Sequence, residues 1–373
     1  MINNHRARAY VDLNVIDQNY GAIKTLLPHN VKTLCVVKAD AYGHGAVEIA
    51  RRLESLGVNY LGVATTDEGI ELRNNGITVP ILVMSGILMW DEIEYLYKNM
   101  LTTVVYDINT LQRLKEESLT HDETLKIHIK VDTGMGRLGF TPDELPVVIR
   151  EIKEPCKIEV EGCMSHFSSS ENRDEYGFNQ IATFKKALQL LKKNGINPEL
   201  IHMANSGAIA QYPEAYFNMI RVGIALYGSY PSKGLSKILH VKPVMKFSSR
   251  IALIKEFPSG SSLSYGRTFI TERKSRIAYI PVGYADGYPR SLSNKGSVLI
   301  NDKRCNVVGR ICMDWLLVDV TDKDNIAVGE EVILLGSGIR DSITADEIAE
   351  HTGTIPYEIL CKISKRVPRI YVQ

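Results

Sequence analysis

The sequence predicts an α/β protein: an N-terminal eight-stranded (β/α)8 barrel, followed by a mainly β C-terminal domain. Two observations carry this reading. Over roughly the first 230 residues, eight short apolar, β-branched runs alternate with segments of helical period, which implies parallel strands and fits the length of an eight-fold barrel. Past about residue 241 the texture changes to short strand-like runs separated by Gly, Pro, Asn and Asp. The expected domains are therefore 12–241 for the barrel and 242–373, together with 1–11, for the β domain. A doubly wound open sheet is the alternative, weakened because no Gly-x-Gly-x-x-Gly follows the first strand.

Taken in order, Ile16, Tyr20, Ile23 and Leu27 share one helical face over 14–26, and Pro28 stops the run. Thr33 to Val37 is a β-branched strand. Val47, Ala50, Leu53 and Leu56 make the next helix, with Gly57 placed for its C-terminal cap. Strand-like and helical stretches then alternate: 60–65 and 67–74, 79–85 and 91–98, 102–106 and 108–117, 125–131 and 142–152. Strand 158–164 precedes a long helix carrying Phe178, Ile181, Phe184, Leu188 and Leu191. The last two barrel strands are 200–203 and 218–222, with a short helix between them. Beyond them 244–256, 276–282, 297–301, 305–309, 316–320 and 331–335 read as strands. Only 344–351 reads as a helix there, with Thr344 as N-cap and Glu347 completing a capping box.

Composition narrows the function classes. A chain of 373 residues, 45% hydrophobic and 23% charged, is an ordinary globular protein that can bury its own core. Lys+Arg 44 against Asp+Glu 43 leaves +1, so there is no basic excess for nucleic acid or an anionic membrane. The six cysteines are scattered with no Cys-x-x-Cys pair, which speaks against a zinc site and for reduced core thiols. No apolar stretch reaches membrane-spanning length, and residues 1–8 are polar rather than signal-like. A cytoplasmic protein is expected, or a domain cut from a longer chain and facing the cytoplasm from a membrane.

Function in a barrel sits at the C-terminal ends of its strands. Those ends carry Lys38 after the first strand, Arg137 after the fifth, His166 after the sixth, Ser206 after the seventh and Arg221 at the eighth. A lysine at the mouth of a buried strand is partly desolvated, which lowers its pKa and frees the lone pair a Schiff-base lysine needs. A surface lysine that merely ends a strand is the plainer alternative. Met203-Ala204-Asn205-Ser206-Gly207-Ala208 and Arg221-Val222-Gly223-Ile224-Ala225-Leu226-Tyr227-Gly228 put small residues in the two loops where a barrel's phosphate site usually lies, although such residues also serve plain packing. Lysine and phosphate loops together suggest pyridoxal 5'-phosphate (PLP), the amine for its aldehyde and the loops for its phosphate.

Val37-Lys38-Ala39-Asp40-Ala41-Tyr42-Gly43-His44-Gly45 resembles the PLP-lysine signature of alanine racemases. The resemblance extends to Lys130-Val131-Asp132-Thr133-Gly134-Met135-Gly136-Arg137-Leu138-Gly139, Ser165-His166-Phe167, Asn205-Ser206 and the Arg221 to Gly228 stretch. It continues through Ser264-Tyr265-Gly266-Arg267, Gly283-Tyr284-Ala285-Asp286-Gly287, Gly309-Arg310-Ile311-Cys312-Met313-Asp314 and Arg366-Val367-Pro368-Arg369, nearly end to end and in order. It implies a PLP-dependent isomerase that interconverts L- and D-alanine by two bases and supplies D-amino acid for peptidoglycan precursors. Lys38 would hold PLP and act as one base. Tyr265, from the β domain of a second subunit, would be the other, so that one base removes the α-proton and the other returns one from the far side. His166 would hydrogen-bond Tyr265, with Arg221 behind it and facing the pyridine nitrogen. A guanidinium only donates, so Arg221 disfavours a protonated ring nitrogen and weakens the electron sink, which suppresses transamination and decarboxylation.

By the same resemblance Tyr42, Ser206, Gly223, Ile224 and Tyr357 contact the phosphate, and Arg137 and the Met313 N–H hold the substrate carboxylate. Lys130 matches a lysine that can be carbamylated to orient that arginine. Asp174, Tyr284, Arg290 and Arg310 fall where relatives build the channel leading to the site. Because Tyr265 and Tyr284 act across the interface, a homodimer with shared active sites is implied. Three rivals remain. A PLP decarboxylase of similar design would use a carboxylate where Arg221 stands. A non-catalytic PLP carrier would lack the second domain. A serine, or dual serine and alanine, racemase domain of a vancomycin-resistance-type membrane protein would carry Asn in place of Tyr357, with room for a serine hydroxyl.

Overall fold

The structure is a computed structural model and describes residues 6–373; the part of the β-domain expectation that falls on residues 1–5 lies outside them. Strand β1 (Ala7–Asp12) runs into helix α1 (Leu13–Lys24). Asp12 caps that helix by accepting from the N–H groups of Asn14 and Val15. Eight strands follow: β2 (Lys32–Val36), β3 (Tyr60–Val63), β4 (Ile81–Val83), β5 (Thr102–Val105), β6 (Leu125–Lys130), β7 (Ile158–Met164), β8 (Leu200–His202) and β9 (Met219–Val222). Each pairs in parallel with the next, and β9 closes on β2 with Met219 opposite Lys32. The sequence thus forms the closed barrel its alternation predicts.

The barrel helices are α2 (Ala46–Ser55), α3 (Thr66–Asn74), α4 (Glu92–Lys98), α5 (Ile108–Ser118), α6 (Leu145–Lys153), α7 (Glu175–Lys193) and the short α8 (Ser206–Gln211). Each buries one apolar stripe: Ile49, Ala50 and Leu53 in α2, and Ile181, Phe184 and Leu191 in α7. Truncating one such Leu or Ile to Ala costs about 2–5 kcal/mol. Phe178, expected on the inner face of α7, is instead exposed, with the Arg173 guanidinium 4.8 Å from its ring centre. The Phe178 ring packs edge-on against the buried Tyr212, 5.6 Å between ring centres, and keeps its outer side to solvent.

The C-terminal part contains β10 (Met245–Arg250), β11 (Leu253–Phe257), β12 (Ser262–Leu263), β13 (Phe269–Ile270), β14 (Ser275–Ile280), β15 (Ser297–Ile300), β16 (Lys303–Val308), β17 (Leu316–Asp319), β18 (Glu331–Ser337) and β19 (Ser342–Ile343). Helices α9 (Ala345–Thr352) and α10 (Pro356–Cys361) and strand β20 (Arg369–Val372) complete it. The main sheet runs β11-β14-β17-β16-β15-β18-β10-β1-β20, so both ends of the described chain enter one sheet. β12 and β13 form a separate hairpin.

Three expectations are corrected. The run 244–256 is two strands, because the chain turns at Ile251 and Ala252, so that β10 pairs with β18 and β11 with β14. A second helix, α10, follows α9; it has six residues, too few to show a period. Thr344 caps α9 by accepting from the Glu347 N–H at 3.0 Å, but the Glu347 carboxylate does not complete a capping box. It pairs with Arg304 at 2.6 Å, since a guanidinium outcompetes a backbone N–H for a carboxylate.

Candidate active site

Lys38 stands two residues past the end of strand β2, and the four residues after it are unusual: Ala39, Asp40, Ala41 and Tyr42 all lie near φ +53 and ψ +47, a left-handed turn built from non-glycine residues. Each such residue costs about 1–2 kcal/mol. Neighbours offset that cost. Glu68 accepts from the Ala39 N–H at 2.7 Å, and Asp40 from the Ala46 N–H at 2.8 Å. His44 Nδ1 lies 3.0 Å from the carbonyls of both Ala41 and Tyr42. From the far end of the chain, Arg369 Nε donates to the Gly43 carbonyl at 2.9 Å. A β-carbon on Gly43 would come within 2.5 Å of the Leu360 carbonyl oxygen, so the turn is pressed against α10 as well. The turn throws Lys38 and Tyr42 into the mouth of the barrel.

That mouth is a cavity of about 630 Å³. On one wall Ser206 Oγ accepts from the Gly223 N–H at 2.9 Å, and Tyr42 and Tyr357 stand together with ring centres 5.9 Å apart. A β-carbon on Gly223 would sit 2.8 Å from the Tyr42 hydroxyl and 3.8 Å from Ser206 Oγ. A bare glycine among hydroxyls and backbone N–H groups is a cradle for a small oxyanion, of the size and donor demand of a phosphate.

The same cavity is lined by Arg221, buried on β9. Nη1 donates to His202 Nδ1 at 2.9 Å and to the His202 carbonyl at 3.0 Å; Nη2 donates to the carbonyls of Ser165 at 2.7 Å and Met203 at 3.0 Å, and to His166 Nδ1 at 2.9 Å. These bonds occupy both terminal nitrogens and leave Nε–H to the cavity that Arg221 lines. Burial, with the nearby Arg137, pushes the guanidinium down to about 9, so it stays a donor at neutral pH. Because it can only donate, His166 Nδ1 must be bare and its Nε2 must carry the proton toward the cavity. Burial and the cations Arg221, Arg137, Lys130 and Lys38 hold His166 far below its ordinary value, hence neutral.

Lys38 is pushed down by burial, then by Arg137, with Glu68 opposing. Lys130 is pushed down to about 8 by burial, Arg137 and Arg221. Both amines are nearer to a free lone pair than an exposed lysine, as imine or carbamate chemistry needs.

The fold therefore brings together Lys38, Tyr42, Lys130, Arg137, His166, Ser206, Arg221, Gly223, Ile224 and Tyr357 around one cavity. Within one chain it does not bring Tyr265, Met313, Asp174, Tyr284, Arg290 or Arg310 to that cavity. Asp174 caps α7, accepting from the Gly177 N–H. The others belong to loops of the β domain that are knit to one another: Tyr284 N–H donates to the Cys312 carbonyl at 3.1 Å, Ala285 N–H to that of Met313 at 3.1 Å and Ser264 Oγ to that of Arg310 at 2.6 Å, while Ile311 N–H reaches Ser293 Oγ, beside Arg290, at 3.0 Å. Tyr265 is 71% exposed, alongside exposed Tyr284, Met313 and Trp315, which is a strange setting for a functional phenol serving its own chain. Sequence reasoning overlooked Glu171 in the cavity wall and His202 behind Arg221. The one available signal was a histidine inside an apolar barrel strand.

The family model described as alanine racemase, N-terminal domain, matches residues 11–231, and that described as alanine racemase, C-terminal domain, matches 244–371. The chain belongs to the alanine racemase family. It is 46% identical to alanine racemase 2 of Caldanaerobacter subterraneus subsp. tengcongensis, covering 98% of this chain and 94% of that one. It is 43% identical to the alanine racemase of Halothermothrix orenii, covering 97% and 96%. Among solved structures, alanine racemase from Clostridium difficile 630 superposes with a TM-score of 0.93 at 41% identity over 99% of this chain and 96% of that chain. The Bacillus anthracis alanine racemase with bound L-Ala-P superposes with 0.92 at 34% identity over 100% and 96%. The enzyme is a racemase of the barrel-plus-β-domain type. No helix among the described residues is long and apolar enough to cross a membrane.

Proposed function

We propose that this racemase interconverts L- and D-alanine with PLP as its cofactor, providing D-alanine for peptidoglycan precursors, and that it works as a cytoplasmic homodimer. The observation that carries the reading is one cavity lined together by a strand-end amine, Lys38, by the Gly223 oxyanion cradle and by the guanidinium of Arg221. PLP has a phosphate, an aldehyde and a ring nitrogen, and those three groups suit these three features. When bound, it supplies the electron sink that makes the substrate's α-proton removable. Lys38 would hold the cofactor at its aldehyde carbon, with loss of water, and would carry the proton on its own side. Tyr42, Ser206, Tyr357 and the backbone at Gly223 and Ile224 would hold the phosphate. Arg221 offers its Nε–H to the ring nitrogen, which stays unprotonated because a guanidinium cannot surrender that proton.

The second proton carrier is Tyr265 of the partner subunit. Its exposure in its own chain supports this role, as does His166, whose Nε2–H points into the cavity ready to stabilise a phenolate. Met313 of the partner subunit contributes its N–H, and Arg137 its guanidinium, to the substrate carboxylate. Lys130 as a carbamate accepts from Arg137 and aims it. Asp174, with Tyr284, Arg290 and Arg310 of the β domain, lines the approach between subunits. The test is reduction of the purified protein with borohydride in the presence of PLP, followed by peptide mapping, alongside racemisation assays with alanine and serine. The label is expected on Lys38, and alanine is expected to be the better substrate. Label on any other lysine, or on none, overturns the reading.

A further inference from the structure

Arg221 does not end the polar chain behind the cavity. His202 Nε2 lies 2.8 Å from His128 Nδ1, and His128 Nε2 lies 3.3 Å from Glu161 Oε2. Glu161 also accepts from the Tyr60 hydroxyl at 2.6 Å and from Lys126 Nζ at 2.8 Å. His202 and His128 are fully buried in the barrel interior. The line thus runs from the cavity through the barrel to the half-exposed Lys126.

The two ends fix every proton between them. A guanidinium only donates, so His202 Nδ1 is bare and its proton sits on Nε2. That proton faces His128 Nδ1, which must then be bare, leaving the second proton on His128 Nε2. An ionised carboxylate only accepts, and that is what Glu161 presents. Burial pushes the Glu161 carboxyl up, but the bonds from His128, Lys126 and Tyr60 outweigh it and leave it at about 2. Burial holds both histidines below their ordinary value, hence neutral. Reversing either ring would set N–H against N–H.

The backbone is shaped for this line. Where β6 pairs with β7, Ile127 faces Val160 but His128 faces Gly162, so Glu161 is the extra residue of a bulge. A bulge re-aims a side chain that a regular strand would send the other way. Gly162 makes the room: a β-carbon there would lie 2.5 Å from the His128 ring.

We propose that Glu161, acting through His128 and His202, is a positioning residue for Arg221: it fixes the proton order that keeps the guanidinium anchored and its Nε–H turned to the cavity. The catalytic consequence rests on the function proposed above, in which Arg221 faces the cofactor ring; the proton order does not.

The experiment has two arms. Neutron diffraction from crystals of the purified holoenzyme is expected to show deuterium on Nε2 and none on Nδ1 of both His128 and His202. Deuterium on Nδ1 of either ring, or on both nitrogens, overturns the proposal. In the second arm Glu161→Gln keeps an acceptor oxygen, and kcat is expected to stay within about threefold. Glu161→Leu leaves the buried His128 N–H unanswered, and kcat is expected to fall by about tenfold or more with KM for alanine unchanged within about twofold. Equal kcat in the two variants overturns the proposal, and so does a loss carried by KM instead. If Glu161→Leu does not fold, the neutron arm alone decides. The stated deuterium pattern in a protein that does not racemise alanine would support the positioning line and sink the proposed function.

Discussion

At the scale of single residues, two positions turn geometry into measurable chemistry. Tyr357 closes the cradle wall beside Tyr42, their ring centres 5.9 Å apart, and so sets the bulk on that side of the cavity. Tyr357→Asn is expected to raise the serine-to-alanine ratio of kcat/KM by about tenfold, because a smaller amide offers both space and a hydrogen bond to a hydroxyl. An unchanged ratio in paired assays would remove Tyr357 from substrate discrimination. Lys130, in protein whose amine is free rather than carbamylated, gives a pH signature. Its folded value is about 8 against an ordinary 10.5, so between those values the unfolded chain holds the proton that the folded chain has released. Stability therefore rises with pH across that window, while below about pH 8 the burial of the charged amine weighs fully against folding. Lys130→Met removes this titration, so the gain in urea midpoint between pH 8 and 10 should shrink in the variant. Parallel midpoint curves for the two proteins would contradict it.

At the scale of elements, the left-handed turn after β2 is where the two halves of the chain meet. Arg369 reaches the Gly43 carbonyl and also donates to the carbonyls of Ser364, Val367 and Ile363, so β20 and the loop before it clamp the segment that carries Lys38. Gly43 sits at φ +80 against the Leu360 carbonyl. Gly43→Ala adds both backbone strain and a clash, and is expected to cost about 2–3 kcal/mol in denaturant unfolding. PLP binding, followed by absorbance, should weaken while far-UV circular dichroism of the barrel is kept. A variant with wild-type stability and cofactor affinity would show that the clamp is idle. The turn also shows the limit of reading elements from sequence. The alternation that builds β2 to β9 is a local pattern and was legible to within a few residues at each end. The left-handed turn was not, because in Ala39-Asp40-Ala41-Tyr42 only the aspartate tolerates positive φ readily; hydrogen bonds from Glu68 and His44, and from Arg369 some three hundred positions away, hold it. The break at Ile251 and the bulge at Glu161 were hidden for the same reason, since both arise from pairing with distant strands.

At the scale of the whole molecule, the proposed site draws on residues that do not line the cavity of their own chain. Ten of the expected site residues line it, while Tyr265 and Met313 stand on the exposed face of the β domain with Tyr284 and Trp315. In the proposed homodimer that face would meet the barrel mouth of the other copy and complete two sites at once. Mixing Lys38→Ala with Tyr265→Phe, each inactive alone, then gives hybrids with one intact site. After subunit exchange, activity should return to about a quarter of the wild type, since half the dimers are hybrids and each keeps one site of two. No recovery on mixing would put both bases in the same chain and defeat the shared-site arrangement.

The sequence by itself determined the barrel, the β domain and the strand-end groups Lys38, Arg137, His166, Ser206 and Arg221, because hydrophobic period and strand-end chemistry are local and survive as patterns along the chain, while Tyr42, Lys130 and Tyr357 were legible only through the family resemblance. Only the tertiary structure decided which nitrogen of each buried histidine holds a proton, how Lys38 is aimed, and that Tyr265 faces away from its own cavity. Those properties belong to contacts between segments far apart in sequence, and a hydrogen-bond direction is defined only when both of its partners are in place.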